Sequence, residues 1–492
     1  MDTTTLRQGM TSRRPGHAFA PVAIGLLAAA LTAGVSRCEW IEVDTFENIS
    51  TNDAGNGGDD PSVSHTNSYV GIWYSIGQAN EYGAKYSGGL ATYPANMFPM
   101  ASYAAAVNKT FFVYGGTTAD GERKLHIMCS YYDHQTGMVP IPTVVRASTF
   151  SDAHANPAIA IDDDGYVWVF CATRHGFEGR RYRSRQPYDI AAFDLVDSRY
   201  MAYPQPWHMG TNGFFFAFTQ YTGGRELYFQ TSSNGVNWSA AQKFAGFGGH
   251  YQNSMARGNR FGTAFNYHPG GVDKRTDLYY MQTDDQGRTW ATADGTPLTV
   301  PLNAAKNAAM VIDYQAQDKL VYIHDTNLDT NGYPYILYLT SSNHAAGPAG
   351  DPRTWHVTHW DGTQWHTSDI TNSTHNYDVG CLHIEDDGTW RVIGPTAAGP
   401  QAWGTGGEVE MWVSADQGSS WSRQIVMTSG SANNHTYVRR PVPAQPDFYA
   451  FWADGDTEGV SPVRLYFGTK DGSVYQLPVA MTNSLQAPVS VP

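Results

Sequence analysis

A chain of 492 residues with only 15% charged residues, 13% aromatic residues and 50 glycines has room for one large β domain or two to three ordinary ones. The formal net charge of −14 argues against a general nucleic-acid binder, which carries a basic face, yet a local cluster of cations can still govern the field inside a cleft. The abundance of Gly, Tyr and Trp, with no long amphipathic helical pattern, points to an all-β fold of many short strands.

Arg7, Arg13 and Arg14 precede an apolar run from Ala18 to Ala33 and the small residues Gly34-Val35-Ser36. This order is that of a secretory signal peptide over residues 1–38, too short and too Ala-rich for a membrane span. The mature protein is therefore expected to be soluble, monomeric and outside the cytoplasm, with no membrane or nucleic-acid partner. Residues 39–68, rich in Asn, Asp, Gly and Ser from Thr51 onward, form a flexible lead-in. Cys38, Cys129, Cys171 and Cys381 are scattered, and the last three sit in apolar strand-like runs that suit buried thiols. No Cys-x-x-Cys pair marks a zinc site, although a Cys with nearby histidines leaves room for a structural calcium or zinc ion.

From Tyr69 to the end one theme recurs: a turn, two or three short apolar strands, and a polar hairpin. Thr283-Asp-Asp285-Gln-Gly287-Arg-Thr-Trp290 and Ser414-Ala-Asp416-Gln-Gly418-Ser-Ser-Trp421 share the pattern Ser/Thr-x-Asp-x-Gly-x-x-Trp, and Thr231 to Trp238 is a degenerate copy. These segments resemble Asp-boxes, hairpins in the outer strands of propeller blades. Their Asp accepts turn amides, their Gly takes a positive φ, and their Trp covers the blade. Trp238 and Trp290 stand one four-stranded blade apart. The expected fold is a single seven-bladed β-propeller over residues 69–492, its blades lying between Tyr93 and Met481. Blade five is expected to use Met310–Ile312 and Leu320–Ile323.

Blade two carries the most informative stretch. Ala158 to Ile161 meets Asp162-Asp163-Asp164-Gly165, and a second apolar run follows from Tyr166 to Phe170, a hairpin with a Gly-closed turn. His154 and His175 then fall together at its open end. If every inner hairpin opens towards one mouth, the flanking residues converge there: His154, His175, Tyr203, Tyr221, Tyr251, Tyr267, His268, Lys306, His324, His375, His435, Arg439 and Arg440. This set is rich in His, Tyr and cations and nearly free of carboxylates. It disfavours ordinary glycoside hydrolysis, which needs two Asp or Glu residues. It suits proton abstraction beside a carboxylate: β-elimination on a uronic acid, with a base taking the C5 proton, an acid protonating O4, and cations stabilising the enolate-like charge. That chemistry requires no cofactor. The partner expected from it is an anionic, sulfated, uronate-bearing polysaccharide.

The segments Asp152 to Pro157, Asp164 to Phe170, Pro187 to Ile190, Tyr203-Pro-Gln205, Tyr221 to Leu227, Gly249-His-Tyr-Gln252, Phe265 to Pro269 and Arg275 to Tyr280 resemble the seven-bladed propeller polysaccharide lyases that include ulvan lyases. The resemblance implies that His154 and Tyr251 are the acid–base residues, with His175 beside them on the substrate uronate. It implies endolytic cleavage between a sulfated rhamnose and a uronic acid. It also implies a carboxylate-neutralising arginine near Phe265 to Pro269, where this chain has Tyr267, so that His175, Arg275 and Arg225 become the candidates for that task. Tyr203, Tyr267, His268, Lys306, His375 and Arg439 complete the expected substrate-binding set. Two other readings stand beside the lyase. A sialidase-like hydrolase is suggested by the Asp-boxes, which are scaffold, and a non-catalytic carbohydrate-binding propeller by the fold alone.

Overall fold

The computed structural model describes residues 66–90, 97–118, 124–148, 153–172, 179–459 and 461–491. Residues 1–38 and most of the lead-in, to which the signal peptide and linker expectations belong, lie outside them. The described chain is a succession of antiparallel meanders with only short 3₁₀ turns between them. Seven meanders follow one another as the blades of a β-propeller. Their inner strands are Ala101–Ala104, Pro157–Ile161, Ala202–His208, Gln252–Arg257, Leu320–Leu328, Cys381–Ile384 and Asn434–Arg439.

The strands are apolar on both faces where blades pack against one another. Every residue of Val167–Cys171 and of Pro334–Ser341 is buried, as expected for a sheet covered on both sides. The hairpin read from blade two is present, with Pro157 opposite Cys171 and Ile161 opposite Val167. Asp162 closes its turn by accepting the Tyr166 amide at 2.8 Å, and Gly165 takes φ +87°. Cys129, Cys171 and Cys381 are buried free thiols.

Blade five departs from the sequence expectation. Met310–Ile312 pairs with Thr276–Thr283 at the edge of blade four, and blade five begins at Leu320, whose strand pairs with Pro334–Ser341. A short apolar run satisfies the free edge of either neighbour equally well, so its sequence alone does not choose a blade.

The ring closes through both ends of the chain. The Val442 amide after the last inner strand donates to the Ala101 carbonyl oxygen at 3.0 Å. Val70–Asn80 adds to Ser461–Gly468 of blade seven, and Leu485–Gln486 pairs with Val139–Pro140 beside blade one.

The Asp-boxes sit in outer turns. Asp285 and Asp416 accept the amides of Thr289 and Ser420 at 2.9 and 2.8 Å, and Gly235, Gly287 and Gly418 have φ of +70°, +80° and +86°. Their tryptophans do more than cover their own blade, because each packs on the preceding one. Trp238 lies 3.9 Å from the Arg181 guanidinium of blade two, Trp290 stacks on Phe244 of blade three at 5.0 Å, and Trp421 donates to Ser368 of blade five at 3.1 Å.

Candidate active site

In an antiparallel meander, the start of the first strand and the loop joining the second to the third emerge at the same end. The residues at those places in blades two, three and four build one cluster. His154 sits in the 3₁₀ turn Ala153–Ala155 that leads into the inner strand of blade two. Tyr203 occupies a bulge in the inner strand of blade three with φ +53°, a conformation that re-aims its side chain. Tyr251 immediately precedes the inner strand of blade four. Arg225 begins the third strand of blade three, and His268 and Arg275 flank the corresponding loop of blade four.

Tyr251 is the hub. Its ring centroid lies 5.6 Å from that of Tyr203 in an edge-on contact and 4.8 Å from that of His268, while the rings of Tyr203 and His154 are 6.0 Å apart. The guanidinium carbons of Arg225 and Arg275 lie 5.0 and 4.9 Å from the Tyr251 ring centroid, and its phenol is a hydrogen-bond partner of Arg225. Two cations against one phenol ring form a positive pocket in a protein that is acidic overall.

The surroundings fix the protonation of His268. Burial first, and then the charges of Arg225 and Arg275, hold this imidazole well below the usual histidine range. Its Nδ1 accepts from Arg225 Nη1 at 3.1 Å, so its Nε2–H donates to Asn266 Oδ1 at 2.9 Å. The same Asn266 oxygen accepts the Tyr251 amide at 2.9 Å, and Asn266 Nδ2 donates to the Val321 carbonyl oxygen at 3.0 Å. One asparagine thus holds Tyr251 and His268 in register.

Arg275 donates from Nε to the Val272 carbonyl oxygen at 2.9 Å and from Nη2 to the Tyr377 hydroxyl at 2.8 Å. It also lies over the rings of Tyr322 and Tyr377. The sequence analysis did not place Tyr322, Tyr377 or Tyr437 in the site. A signal for them existed: each stands at or just before an inner strand, where blades three and four have Tyr203 and Tyr251. Aligning the blades one on another exposes that column of tyrosines.

Four expected site residues stand elsewhere. Lys306 is an exposed residue at the outer edge of blade four, ion-paired with Asp313. The cause is the displaced blade boundary: the segment before Met310 leads into an outer strand of blade four and not into the inner strand of blade five. His375 is buried, within 3.3 Å of Thr405 Oγ1 and hydrogen-bonded to the backbone of Ala84, with its pKa pushed down to about 3 by burial and then by Arg353. The hairpin Val70–Asn80 and Gly83–Gly88 reaches over it, and Tyr82 at that hairpin's tip packs edge-on against Trp403. Arg439 is buried in the axial channel, where its Nη1 donates to the His324 carbonyl oxygen at 3.2 Å. Tyr267 packs on Phe247, with ring centroids 5.4 Å apart. His175 lies outside the described residues. His435, also expected at the mouth, is held by Ser431 and Trp452 and serves blade seven. Among the described residues, no three His, Cys, Asp or Glu side chains gather as a metal site would require, and no helix is long and apolar enough to cross a membrane.

An ulvan lyase of family PL25 from Pseudoalteromonas sp. (strain PLSV) is 21% identical over 55% of this chain and 64% of its own length. An ulvan lyase from Nonlabens ulvanivorans is 25% identical over 45% of this chain and 55% of its own. The chain thus spans less than two thirds of either relative. A solved PL25 ulvan lyase bound to -[GlcA(1-4)Rha3S]- superposes with a TM-score of 0.62 at 17% identity, covering 85% of this chain and 97% of that one, which establishes the shared fold. The family model for BNR repeat-containing members matches residues 104–373, more than half of the chain and most of the blades that build the cluster. With its repeated Asp-box turns and its propeller, this chain belongs to the BNR repeat-containing family.

Proposed function

We propose that this protein is a polysaccharide lyase acting on ulvan or a closely similar sulfated, uronate-bearing polymer, and that it cleaves by β-elimination. The observation that carries the reading is the pair of guanidiniums, Arg225 and Arg275, against the ring of Tyr251, with His154 reached through Tyr203. The names of the relatives, and the uronate–rhamnose sulfate repeat bound by the solved PL25 enzyme, support the same substrate class.

In this reading the uronate carboxylate meets Arg225 and Arg275, in place of the arginine that Tyr267 replaces. Their charge stabilises the enolate-like anion that forms as His154 takes the C5 proton. The electrons of the C5–H bond become the C4–C5 double bond, and the C4–O4 bond breaks. Tyr251 delivers a proton to the departing O4, leaving a saturated chain end on one product and an unsaturated uronate on the other. His268, neutral at working pH, acts as a positioning residue by fixing Arg225. Export through the segment 1–38 belongs to the same proposal.

Digestion of ulvan by the purified chain, followed by ultraviolet absorbance, tests the reaction class. Elimination creates a conjugated double bond and absorbance rises as the polymer shortens. Shortening with no rise means hydrolysis, and binding with no shortening means a lectin-like propeller.

A further inference from the structure

Beneath Tyr251 the axial channel holds polar groups for which the proposed reaction has no use. Arg439 ends the inner strand of blade seven, is 1% exposed, and spends only Nη1 on the His324 carbonyl oxygen. Its Nε and Nη2, the Tyr437 hydroxyl and both ring nitrogens of His324 are buried without a hydrogen-bond partner among the described residues. These groups are neighbours. The Arg439 guanidinium lies 5.9 Å from the Tyr437 ring centroid, and the charge of Arg439 is felt at the His324 imidazole. His324 in turn borders a cavity of about 10 Å³ whose walls include Tyr251, Asn266, Arg275, Tyr322 and Tyr377, so it adjoins the catalytic cluster. That volume is roughly one water-sized sphere.

Backbone irregularities aim these side chains. The register of blade seven jumps between Thr436 and Arg439, with Tyr437 at φ +56°, and that of blade five jumps between Ile323 and Asp325, leaving His324 as the extra residue. Bulges in these two inner strands re-aim side chains that regular pairing would bury between blades.

The nearby carboxylates are committed to other donors. Asp325 is the carboxylate beside Arg439, but it accepts from Arg440 Nε at 2.7 Å, from Arg440 Nη2 at 3.2 Å and from the Leu382 amide at 3.0 Å. Asp378 is occupied by the amides of Thr374, His375 and Gly406. Neither carboxylate reaches Arg439 Nε or Nη2, in a region closed to bulk water where buried charges are ordinarily paired. The unpartnered arginine nitrogens only donate, and the phenol and imidazole can donate as well. The missing group is an acceptor carrying one negative charge.

We propose that the axial channel binds one monatomic anion of the halide class, chloride in ordinary buffers, between Arg439, Tyr437 and His324. The anion neutralises Arg439 and ties blade seven to blade five across the axis. The adjoining cavity has no room for sulfate or for a uronate, so the anion is not the substrate's own charge, although Tyr251 and Arg275 border the same space.

Crystals of the full chain exchanged into sodium bromide test the site by anomalous diffraction at the bromine edge. A bromide peak within hydrogen-bond reach of Arg439 Nε or Nη2 is the expected result. A water there instead, or bromide confined to the protein surface, overturns the proposal. In solution, the unfolding midpoint is expected to rise with the logarithm of halide concentration and not in sodium gluconate of equal ionic strength. Arg439→Met is expected to abolish that difference. Should that variant not fold, Tyr437→Phe, which removes one donor and keeps the ring, is expected to shrink it. Equal responses of the wild type to halide and gluconate refute the site whatever the variants do.

Discussion

Tyr251 has little freedom: its backbone amide is held by Asn266, its ring by Tyr203 and His268, and its phenol faces Arg225. Tyr251→Phe preserves that packing and removes one hydroxyl. A structural phenol costs about 1 kcal/mol or less when removed, whereas a proton donor costs at least ~10²-fold in turnover with folding unchanged. The expected outcome is the second, measured as the rate of double-bond formation on ulvan with a parallel urea unfolding curve. His154→Ala is expected to abolish turnover and leave polymer binding within a few-fold, because a base acts mainly in the transition state. Arg275→Gln is expected to weaken binding as well as turnover, with a binding loss that shrinks as salt is added. Lys306→Ala is expected to leave both unchanged, since that ammonium is committed to Asp313 at an outer edge.

The Asp-box turn joins blades, and its glycine shows how tightly. Gly287 has φ +80°, and a Cβ there would stand 2.3 Å from the Phe229 ring of blade three. Gly258, in the turn of blade four's inner hairpin, has φ +58° and nothing within 4 Å. Alanine at either position meets the left-handed backbone penalty of roughly 1–2 kcal/mol. Only Gly287→Ala adds overpacking, typically about 1–3 kcal/mol more. Denaturant midpoints of the two variants are expected to separate in that order. Equal midpoints would mean that the blade joint yields freely.

At the scale of the whole molecule, burial of histidines sets the acid limit. His250 and His375 are pushed down to about 4 and about 3, and His268, His324 and His383 lie well below the ordinary value, all chiefly through burial. Below about pH 6.5 the unfolded chain binds protons at these positions that the folded chain refuses. Stability is therefore present at neutral pH and is lost as the pH falls, by up to about 1.4 kcal/mol per pH unit for each such histidine. Urea unfolding at pH 7.5 and pH 5.5 is expected to show a much lower midpoint at the acid value, and replacement of one of these histidines by Gln is expected to reduce the difference. Ring closure belongs to this scale too, because Val442 meets Ala101 and Leu485–Gln486 meets Val139–Pro140 only when both ends of the chain have arrived.

Local patterns carried the all-β class, the seven-blade count, the Asp-box turns and the hairpin that presents His154, because turn chemistry and strand alternation are short-range properties. They also carried His154, Tyr203, Tyr251 and His268 as one cluster, since repetition of a meander forces equivalent positions to one end, while Arg225 and Arg275 were expected there only through the resemblance to propeller lyases. What lay beyond them depended on partners distant in sequence. Met310–Ile312 pairs with whichever sheet edge is free, so Lys306 stood at the mouth on paper and at an outer edge in the fold. His375 disappears beneath a hairpin some 290 residues earlier in the chain, and Arg439 turns into the axis because of a bulge two residues before it. Tyr322, Tyr377 and Tyr437 were legible only by aligning the blades one on another. A repeat dictates which residues are equivalent, but the neighbour that covers, pairs or bends each of them is chosen by tertiary packing, where burial and charge act between segments with no local signal for one another.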